Sequence, residues 1–227
     1  MPSLRVEVYT QPIIGDLYVV GDLHGCYDQL MQRLDVLQFD IEQDLLVSVG
    51  DLVDRGPQSL ACVELLSKPW FKAIRGNHEQ LCIDGLRDDS IRHLHVRDEM
   101  GGAWFHQLDH AQKTTIAARF DALPIMLQIR HRGRYYGFVH ADIDLPDWQQ
   151  LSHAVDQGQT VAIQTCLWGR ARIKATADDP RYPYVEGIDE IYLGHTPIKH
   201  PIHQQNCCFI DTGAVFGGLL TVMKLGS

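Results

Sequence analysis

The first ninety residues repeat one pattern three times: an apolar strand, a turn rich in glycine, aspartate and histidine, and a segment with helical spacing. The predicted strands cover about 17–20, 45–49 and 71–74. The predicted helices cover about 27–37, 58–66 and 78–86. Alternating strands and helices favour parallel strands joined by right-handed crossovers. Because ligands bind beyond the carboxyl ends of such strands, we expect the three turns to converge on one site.

The rest of the chain has the pattern of a helical insertion followed by a strand-rich half. Residues 88–123 are polar and helical in character, with a glycine break in the MGGAWF motif at 100–105. Further strands are predicted at about 126–129, 135–139, 190–193, 207–210 and 219–224. Between them, 141–185 is expected to be mostly connecting structure, with an exposed loop at 177–180. We therefore expect one domain over 1–227, with the helical insertion at about 88–123.

Composition excludes several classes of protein. Hydrophobic residues make up 45% and charged residues 22% of the chain, as in a soluble globular protein. The formal net charge of −9 disfavours binding to nucleic acid. No window holds the roughly 18 apolar residues that a membrane span needs, and the N-terminal stretch lacks a signal-peptide pattern. Six cysteines without a CxxC motif indicate reduced thiols in the core, so we expect a cytoplasmic protein.

Three short blocks carry candidate metal ligands: GDLHG at 21–25, GDLVDRG at 50–56 and RGNHE at 75–79. Asp22 and His24 are two residues apart, so in extended backbone they point to the same side and can bind one metal ion. Asp51 follows the next strand and can bridge two ions through its two oxygens, while Asn77 offers an amide oxygen. Mixed carboxylate, imidazole and amide ligands suit Mn, Fe or Zn.

Two later histidines extend this set, since His140 and His195 also follow predicted strands directly. A lone histidine in such a place is most often structural, but here both would lie at the same strand ends as the three blocks. The candidate ligands are then Asp22, His24, Asp51, Asn77, His140 and His195. Six ligands with one shared carboxylate are enough for a two-metal centre with open positions for water and substrate.

With these motifs the chain resembles the phosphoprotein phosphatase family of metallophosphoesterases. The family blocks GDxHG, GDxVDRG and GNHE are intact, and His140, GH at 194–195 and DTG at 211–213 follow in matching order. The nearer likeness is to the short bacterial and phage serine/threonine (and tyrosine) protein phosphatases, through GDLVDRGPQSL, RGNHEQ, MGGAWF, LWGR and DTGAVFGG. The resemblance implies an α/β fold of the calcineurin-like type: four layers, with a β-sandwich core flanked by helices and built on βαβαβ.

The resemblance also implies roles for individual residues. Asp22, His24 and Asp51 would bind a first metal, and the second would be bound by Asp51, Asn77, His140 and His195. Two divalent ions, Mn²⁺ before Fe²⁺ or Zn²⁺, would hold a bridging hydroxide that attacks phosphorus directly. His78 would be the general acid, oriented by Asp54. The phosphate would be contacted by Arg55, Arg75 and Arg170.

The substrates implied are phosphoserine and phosphothreonine, with phosphotyrosine as a further possibility, in proteins or peptides. No regulatory subunit is implied, because the long C-terminal part of the eukaryotic enzymes is absent. The first alternative is a diadenosine tetraphosphate hydrolase or a phosphatase for small esters. Enzymes that resemble diadenosine tetraphosphate hydrolases usually lack the aspartate of VDRG. In this chain that aspartate is present as Asp54. An inactive binding module is a second alternative, although no expected ligand is missing.

Several residues are left open by the sequence. Arg172 competes with Arg170 for the phosphate role, and Asp142 departs from the His-Gly-Gly pattern of eukaryotic members, so no role is inherited for it. Four aromatic residues could line a substrate groove or belong to the core: Trp104, Phe105, Tyr182 and Tyr184. Cys207 and Cys208 could be redox-active, but buried strand positions are favoured. No role is predicted for the remaining histidines, which include His95 and His106.

Overall fold

The computed structural model describes residues 5–176 and 179–226, and within these ranges ten strands form two sheets. The strands are β1 (Val6–Tyr9), β2 (Leu17–Val20), β3 (Leu45–Ser48), β4 (Phe71–Ala73), β5 (Met126–His131), β6 (Arg134–Val139), β7 (Glu190–Leu193), β8 (Ile202–Gln204), β9 (Cys207–Phe209) and β10 (Val222–Leu225).

The described helices lie between these strands. They are α1 (Tyr27–Val36), α2 (Ser59–Leu65), α3 (Asn77–Asp84), α4 (Asp89–His95), α5 (Ala103–Gln107), α6 (His110–Asp121), α7 (Trp148–Asp156), α8 (Thr160–Trp168), α9 (Ala171–Lys174) and a 3₁₀ turn at Ala214–Phe216. Helices α4 to α6 occupy the segment 88–123, where the sequence predicts helical structure.

The smaller sheet has the order β10-β2-β3-β4, with β2, β3 and β4 parallel and β10 antiparallel at one edge. Its register pairs Val20 with Ser48 and Ser48 with Ala73, so the three parallel strands end side by side. The larger sheet is mixed, with the order β1-β5-β6-β7-β9-β8. Strands β6 and β7 in it are parallel, and they too end next to each other.

The two sheets pack face to face and helices cover both outer faces, which gives the four predicted layers. Val19 and Val47 from the small sheet meet Leu127 and Phe138 from the large sheet in the central apolar layer. Helices α1, α2, α3, α5 and α6 cover the outer face of the small sheet, and α7 and α8 cover that of the large sheet. Successive strand residues alternate between these layers, which explains why β2 and β3 are apolar on both faces.

The structure corrects the sequence analysis in three places. The segment 141–185 is not mostly connecting structure, because α7, α8 and α9 lie in it. Strands β1 and β8 were not predicted; both lie at sheet edges and are only partly buried. The last strand begins at Val222 rather than at about 219. Of the predicted loop 177–180, residues 177 and 178 lie outside the described ranges.

Two further findings concern the chain as a whole. All six cysteines are free and buried, which agrees with their predicted use as core residues. Cys207 and Cys208 lie in β9, where burial raises the pKa of their thiols to about 11 and about 12, so neither is poised for redox chemistry. Among the described residues, no helix is both long enough and apolar enough to cross a membrane.

Candidate metal centre

The six predicted ligands meet at the carboxyl ends of strands from both sheets. They are Asp22, His24, Asp51, Asn77, His140 and His195, and none is more than 6% exposed. The first four follow β2, β3 and β4, and the last two follow β6 and β7. Parallel register within each sheet and face-to-face packing of the two sheets therefore bring together residues that are up to 173 positions apart in the chain.

Asp51 stands at the middle of the cluster. Its Oδ2 lies 3.5 Å from Nε2 of His24, and its Oδ1 lies 3.4 Å from Nε2 of His140. Two groups of potential metal ligands share it, one with His24 and His78 and the other with His140 and His195. This is the geometry expected of a carboxylate that bridges two metal ions.

Asn77 and Asp22 complete the cluster on either side. The Oδ1 of Asn77 lies 2.9 Å from Nε2 of His140 and 2.8 Å from Nδ1 of His195. The Asp22 carboxylate accepts a hydrogen bond from the backbone N–H of His195 at 3.0 Å. Position 194 must be glycine here, since a Cβ on Gly194 would lie 2.0 Å from the Asp22 carboxylate.

Backbone hydrogen bonds fix which nitrogen of two histidines faces the cluster. The Nδ1 of His24 donates to the carbonyl oxygen of Val53, and the Nδ1 of His140 donates to that of Val49, each at 2.8 Å. The Nε2 of each ring is thereby directed towards Asp51. Metal-binding histidines in proteins are held in this way. Burial lowers the pKa of His24 to about 3, so this imidazole is neutral at pH 7.

The backbone at the site is held in an unusual conformation. His24, Asp51 and His195 have positive φ angles of 42°, 49° and 69°. For residues other than glycine this conformation costs on the order of 1–3 kcal/mol each, and it persists only where the surroundings enforce it. Glu79 is one such constraint, because its carboxylate accepts backbone hydrogen bonds from Asp51 at 2.9 Å and Gly76 at 2.8 Å.

The electrostatics of the cluster fit divalent cations. Burial and the nearby Asp211 raise the pKa of Asp22 well above its usual range. Burial disfavours the charged form of His140, but the Asp51 carboxylate outweighs burial and raises the pKa of His140 to about 10. The buried Asp51 carboxylate thus keeps a proton on the His140 ring, at the place where a cation would bind. Divalent ions neutralise carboxylates and take imidazole nitrogen and amide oxygen as ligands, so this donor set suits them.

Arg55 lies beside the cluster, as predicted for a phosphate contact. Its guanidinium is within hydrogen-bond distance of Nε2 of His24, and its Nε donates to the carbonyl oxygen of Glu99 at 3.1 Å. The guanidinium carbon lies 5.5 Å from the centre of the Phe216 ring, which is 63% exposed. The charged group is therefore held at the open side of the site.

Arg170 is brought to the cluster, beside His195, by a residue for which no role was predicted. The Asp142 carboxylate accepts hydrogen bonds from the backbone N–H of Ala171 at 2.6 Å and Arg172 at 3.1 Å, and so holds the start of α9. Gly169 permits this approach, since a Cβ there would lie 2.4 Å from Cβ of Asp142. Arg170 lies between Gly169 and Ala171 in the chain, so these contacts with Asp142 hold it at the site.

Arg75, for which a phosphate contact is predicted, hydrogen-bonds to α3 and to the end of α6. Its guanidinium donates to the carbonyl oxygens of Asp121 and Leu123 at the end of α6, the latter at 3.2 Å, and to Oε1 of Gln80 at 3.1 Å. It also pairs with the Asp121 carboxylate at 3.3 Å. These contacts of Nη1 and Nη2 connect the third block to α6, while the buried Nε of Arg75 has no hydrogen-bond partner among the described residues.

His78 and Asp54, predicted to be the general acid and the carboxylate that orients it, form a buried hydrogen-bonded pair. The Nδ1 of His78 lies 2.6 Å from Oδ2 of Asp54, and both residues are at most 1% exposed. The other ring nitrogen, Nε2, lies 3.9 Å from Oδ2 of Asp51, so it faces the cluster. Burial opposes ionisation of Asp54, but hydrogen bonds from His78 and His95 lower its pKa to about 2.

Sequence reasoning missed two further residues that contact Asp54. His95 is fully buried beside it, and Trp104 donates its indole N–H to Asp54 instead of lining a groove. Phe105 is buried in the core. The glycine pair at 101–102 was the available signal, because consecutive glycines before aromatic residues indicate close backbone packing.

The family model described as Calcineurin-like phosphoesterase matches residues 16–202 of the chain. One curated relative, Serine/threonine-protein phosphatase 1 of Salmonella typhimurium strain LT2, is 40% identical over 212 residues. That match covers 92% of this chain and 91% of the relative. A more distant relative is the asymmetrical bis(5'-nucleosyl)-tetraphosphatase PrpE of Bacillus velezensis, which is 29% identical over 225 residues. That match covers 89% of this chain and 86% of the relative.

Among solved structures, a protein serine/threonine phosphatase from Saccharomyces cerevisiae superposes on the chain with a TM-score of 0.61. The superposition covers 92% of this chain and 71% of the yeast chain, at 16% identity. At that identity the likeness concerns the fold, and it agrees with the four-layer architecture described above.

Proposed function

This chain belongs to the calcineurin-like phosphoesterase family, and we propose that it is a metal-dependent phosphomonoesterase that removes phosphate from phosphoserine and phosphothreonine in proteins. The substrate class follows the relative named as a serine/threonine-protein phosphatase, with which the chain shares 40% identity over nearly its full length. The reaction class follows the site, in which ligand-type residues, two arginines and a buried histidine–aspartate pair surround one cluster.

The observation that carries the choice of substrate is the 2.6 Å contact between His78 and Asp54. A serine or threonine alkoxide is a poor leaving group and needs a proton, which a positioned imidazole can supply. A nucleotide that leaves from a dinucleoside tetraphosphate departs as a stable phosphate anion and needs little such help. The acid pair therefore favours phosphate esters of alcohols. Phosphotyrosine is also accessible to this chemistry, because a phenolate leaves more readily than an alkoxide.

We propose that Asp22, His24 and Asp51 hold one divalent cation, and that a second is held by Asp51, Asn77, His140 and His195. When bound, two divalent cations activate the attacking water and neutralise charge on the phosphate. We propose Mn²⁺ as the bound ion, because the ligands are rich in oxygen. The same ligands, which include three imidazoles, also accommodate Fe²⁺ and Zn²⁺.

The protein's own groups perform the remaining tasks. Arg55 and Arg170 bind phosphate oxygens, since a guanidinium stays charged and its fork matches an O–P–O edge. His78 donates a proton from Nε2 to the leaving oxygen. Asp54 accepts the Nδ1–H of His78 and keeps the ring in that orientation.

We also propose that the protein acts in the cytoplasm, in signalling by reversible phosphorylation. Six buried free thiols support a reducing compartment. Removal of phosphate from serine and threonine reverses the action of protein kinases, which is the basis of such signalling.

Hydrolysis assays on defined substrates test this function. Metal-stripped protein is supplied with Mn²⁺ and given a phosphoserine peptide, a phosphotyrosine peptide or diadenosine tetraphosphate. We expect metal-dependent phosphate release from the peptides, lost in Asn77→Ala and kept in the surface control Gln107→Ala. Cleavage of the dinucleotide alone would make the chain a nucleotide hydrolase, and no metal-dependent release from any substrate would overturn the proposal.

A further inference from the structure

Asp54 is one point at which the helical insertion contacts the catalytic site. Its carboxylate is buried and accepts three short hydrogen bonds. His78 donates at 2.6 Å and His95 at 2.7 Å to Oδ2, and the indole of Trp104 donates at 2.7 Å to Oδ1. Two of the three donors belong to α4 and α5 of the insertion, so the conformation of Asp54 depends on that segment.

A fourth residue, His106, contacts the other ring nitrogen of His95. The Nδ1 of His95 lies 3.0 Å from Nε2 of His106. Burial and the neighbouring His95 lower the pKa of His106 to about 4, so His106 is neutral at pH 7. This contact holds the His95 ring with Nε2 facing Asp54, and the Nε2 donates to the Asp54 carboxylate.

The backbone of the insertion is shaped to allow these contacts. A Cβ on Gly102 would lie 2.1 Å from Cδ2 of the His95 ring, and a Cβ on Gly101 would lie 2.3 Å from the backbone nitrogen of Arg55. The N–H of Gly102 also donates to the carbonyl oxygen of His95 at 2.9 Å. The glycine pair therefore lets the loop lie against both the His95 ring and the backbone that carries Asp54 and Arg55.

A metal-binding interpretation of this place is less suitable. Asp54, Cys82 and His95 have ligand atoms within 4.8 Å of one another. However, both oxygens of Asp54 already accept hydrogen bonds, and burial raises the pKa of Cys82 well above its usual range. A thiol that stays protonated is a poor ligand. The group acts as a hydrogen-bond network.

We propose that His95 is a positioning residue for the general acid: together with Trp104 and His106, it fixes the Asp54 carboxylate and through it the imidazole of His78. This inference rests on the proposed phosphatase function. Without the two donors from the insertion, the carboxylate can rotate and the Nε2–H of His78 loses its fixed direction. Misplacement of a catalytic group by about 1 Å can cost on the order of 10²-fold in rate.

The dependence on leaving group distinguishes this role from a purely structural one. In His95→Leu we expect kcat for a phosphoserine peptide to fall about 10- to 100-fold, with KM nearly unchanged, because alignment of the acid is lost. Hydrolysis of p-nitrophenyl phosphate, whose leaving group needs no proton, should fall only a few-fold. His95→Gln retains an N–H near the Nε2 position and should recover most of the loss. The matched control is His93→Leu, on the exposed side of the same helix, which should behave as wild type.

Equal losses on both substrates, or no loss on either, would overturn the proposal. If His95→Leu does not fold, Gly102→Ala is the second variant, since its Cβ displaces the ring without removing it. The same substrate-selective loss is expected there, and equal losses again contradict the proposal.

A measurement without turnover separates this inference from the proposed function. Nitrogen-15 NMR of the histidine rings should show a proton on Nε2 of His95 in a hydrogen bond to Asp54, and this signal should change in His106→Leu. A His95 ring without a proton on Nε2 would overturn the network. Failure of the wild type to hydrolyse any phosphate ester would instead contradict the proposed function, whatever the NMR result.

Discussion

The Nε of Arg170 lies 3.0 Å from Nε2 of His195, a candidate metal ligand. Arg172, two residues further on, is 1% exposed and donates to the carbonyl oxygens of Tyr182 and Pro183 at 3.2 and 2.9 Å. The sequence left both arginines open for the phosphate role. Their contacts place Arg170 at the reactive cluster and Arg172 inside the scaffold.

Arg170→Gln should therefore lower kcat/KM for a phosphoserine peptide without changing thermal stability. Loss of a charged hydrogen bond to phosphate costs about 1.5–3 kcal/mol, which corresponds to roughly 10- to 100-fold. Arg172→Gln should show the opposite pattern, with a lower melting temperature and near-normal kinetics of the folded fraction. Wild-type kcat/KM in Arg170→Gln would contradict the assignment. Steady-state kinetics and thermal unfolding of both variants provide the comparison.

Arg75→Met should destabilise the fold and leave the chemistry intact. The guanidinium hydrogen-bonds carbonyl oxygens at the end of α6, and buried acceptors left without a donor cost about 1–3 kcal/mol. Urea unfolding should show this loss, while kcat/KM per folded molecule stays within a few-fold of the wild type. A selective loss of kcat/KM with unchanged stability would instead return Arg75 to the phosphate site.

His78→Asn should separate substrates by their leaving groups. General acid catalysis contributes about 10²–10⁴-fold, so hydrolysis of a phosphoserine peptide should fall by that factor. Hydrolysis of p-nitrophenyl phosphate should fall much less, since nitrophenolate leaves without a proton. Parallel kinetic assays on the two substrates measure the difference, and equal losses would rule out His78 as the acid.

The neutral state of His106 predicts a pH-dependent stability. Burial, His95, Lys113 and Arg92 favour the neutral ring, Asp54 opposes them, and the pKa falls to about 4. In the unfolded chain, the His106 ring takes up a proton near pH 6.5, whereas in the folded protein it does so only near pH 4. Acidification from pH 6.5 to pH 4 therefore lowers the free energy of unfolding. In metal-free protein, His106→Gln should lose less stability than the wild type between pH 7 and pH 5. The free energy of unfolding of each protein is measured by urea unfolding at both pH values. An equal loss in the variant and in the wild type would contradict this prediction.

The sequence was sufficient to predict the residues that follow strands. Asp22, Asp51 and Asn77 come after three strands whose parallel register makes their ends adjacent, so their convergence follows from local patterns. His140 and His195 meet them because the two sheets pack face to face with the ends of β6 and β7 on the same side. Each of these positions depends on backbone topology, which strand and helix alternation indicates.

Side-chain direction was less accessible from the sequence. The contacts of Arg75 depend on where α6 ends, 46 residues later in the chain. His95 meets Asp54 across 41 residues through a short helix that no motif marks. The Asp142 carboxylate acts on the start of α9, 29 residues later in the chain, by accepting a hydrogen bond from its backbone. Such contacts are set by tertiary packing, which local periodicity does not encode.

The most direct test of the two-metal phosphatase is a titration of metal-stripped protein with Mn²⁺, in which phosphate release from a phosphoserine peptide is followed at each metal-to-protein ratio. Because Asp51 lies between His24 and His140, at 3.5 and 3.4 Å, two ions should bind to one cluster. We predict that activity is absent without metal, rises to a plateau at two equivalents, and is abolished or severely weakened in Asn77→Ala. Full activity in the stripped protein, or a plateau at one equivalent that Asn77→Ala leaves unchanged, would contradict the account.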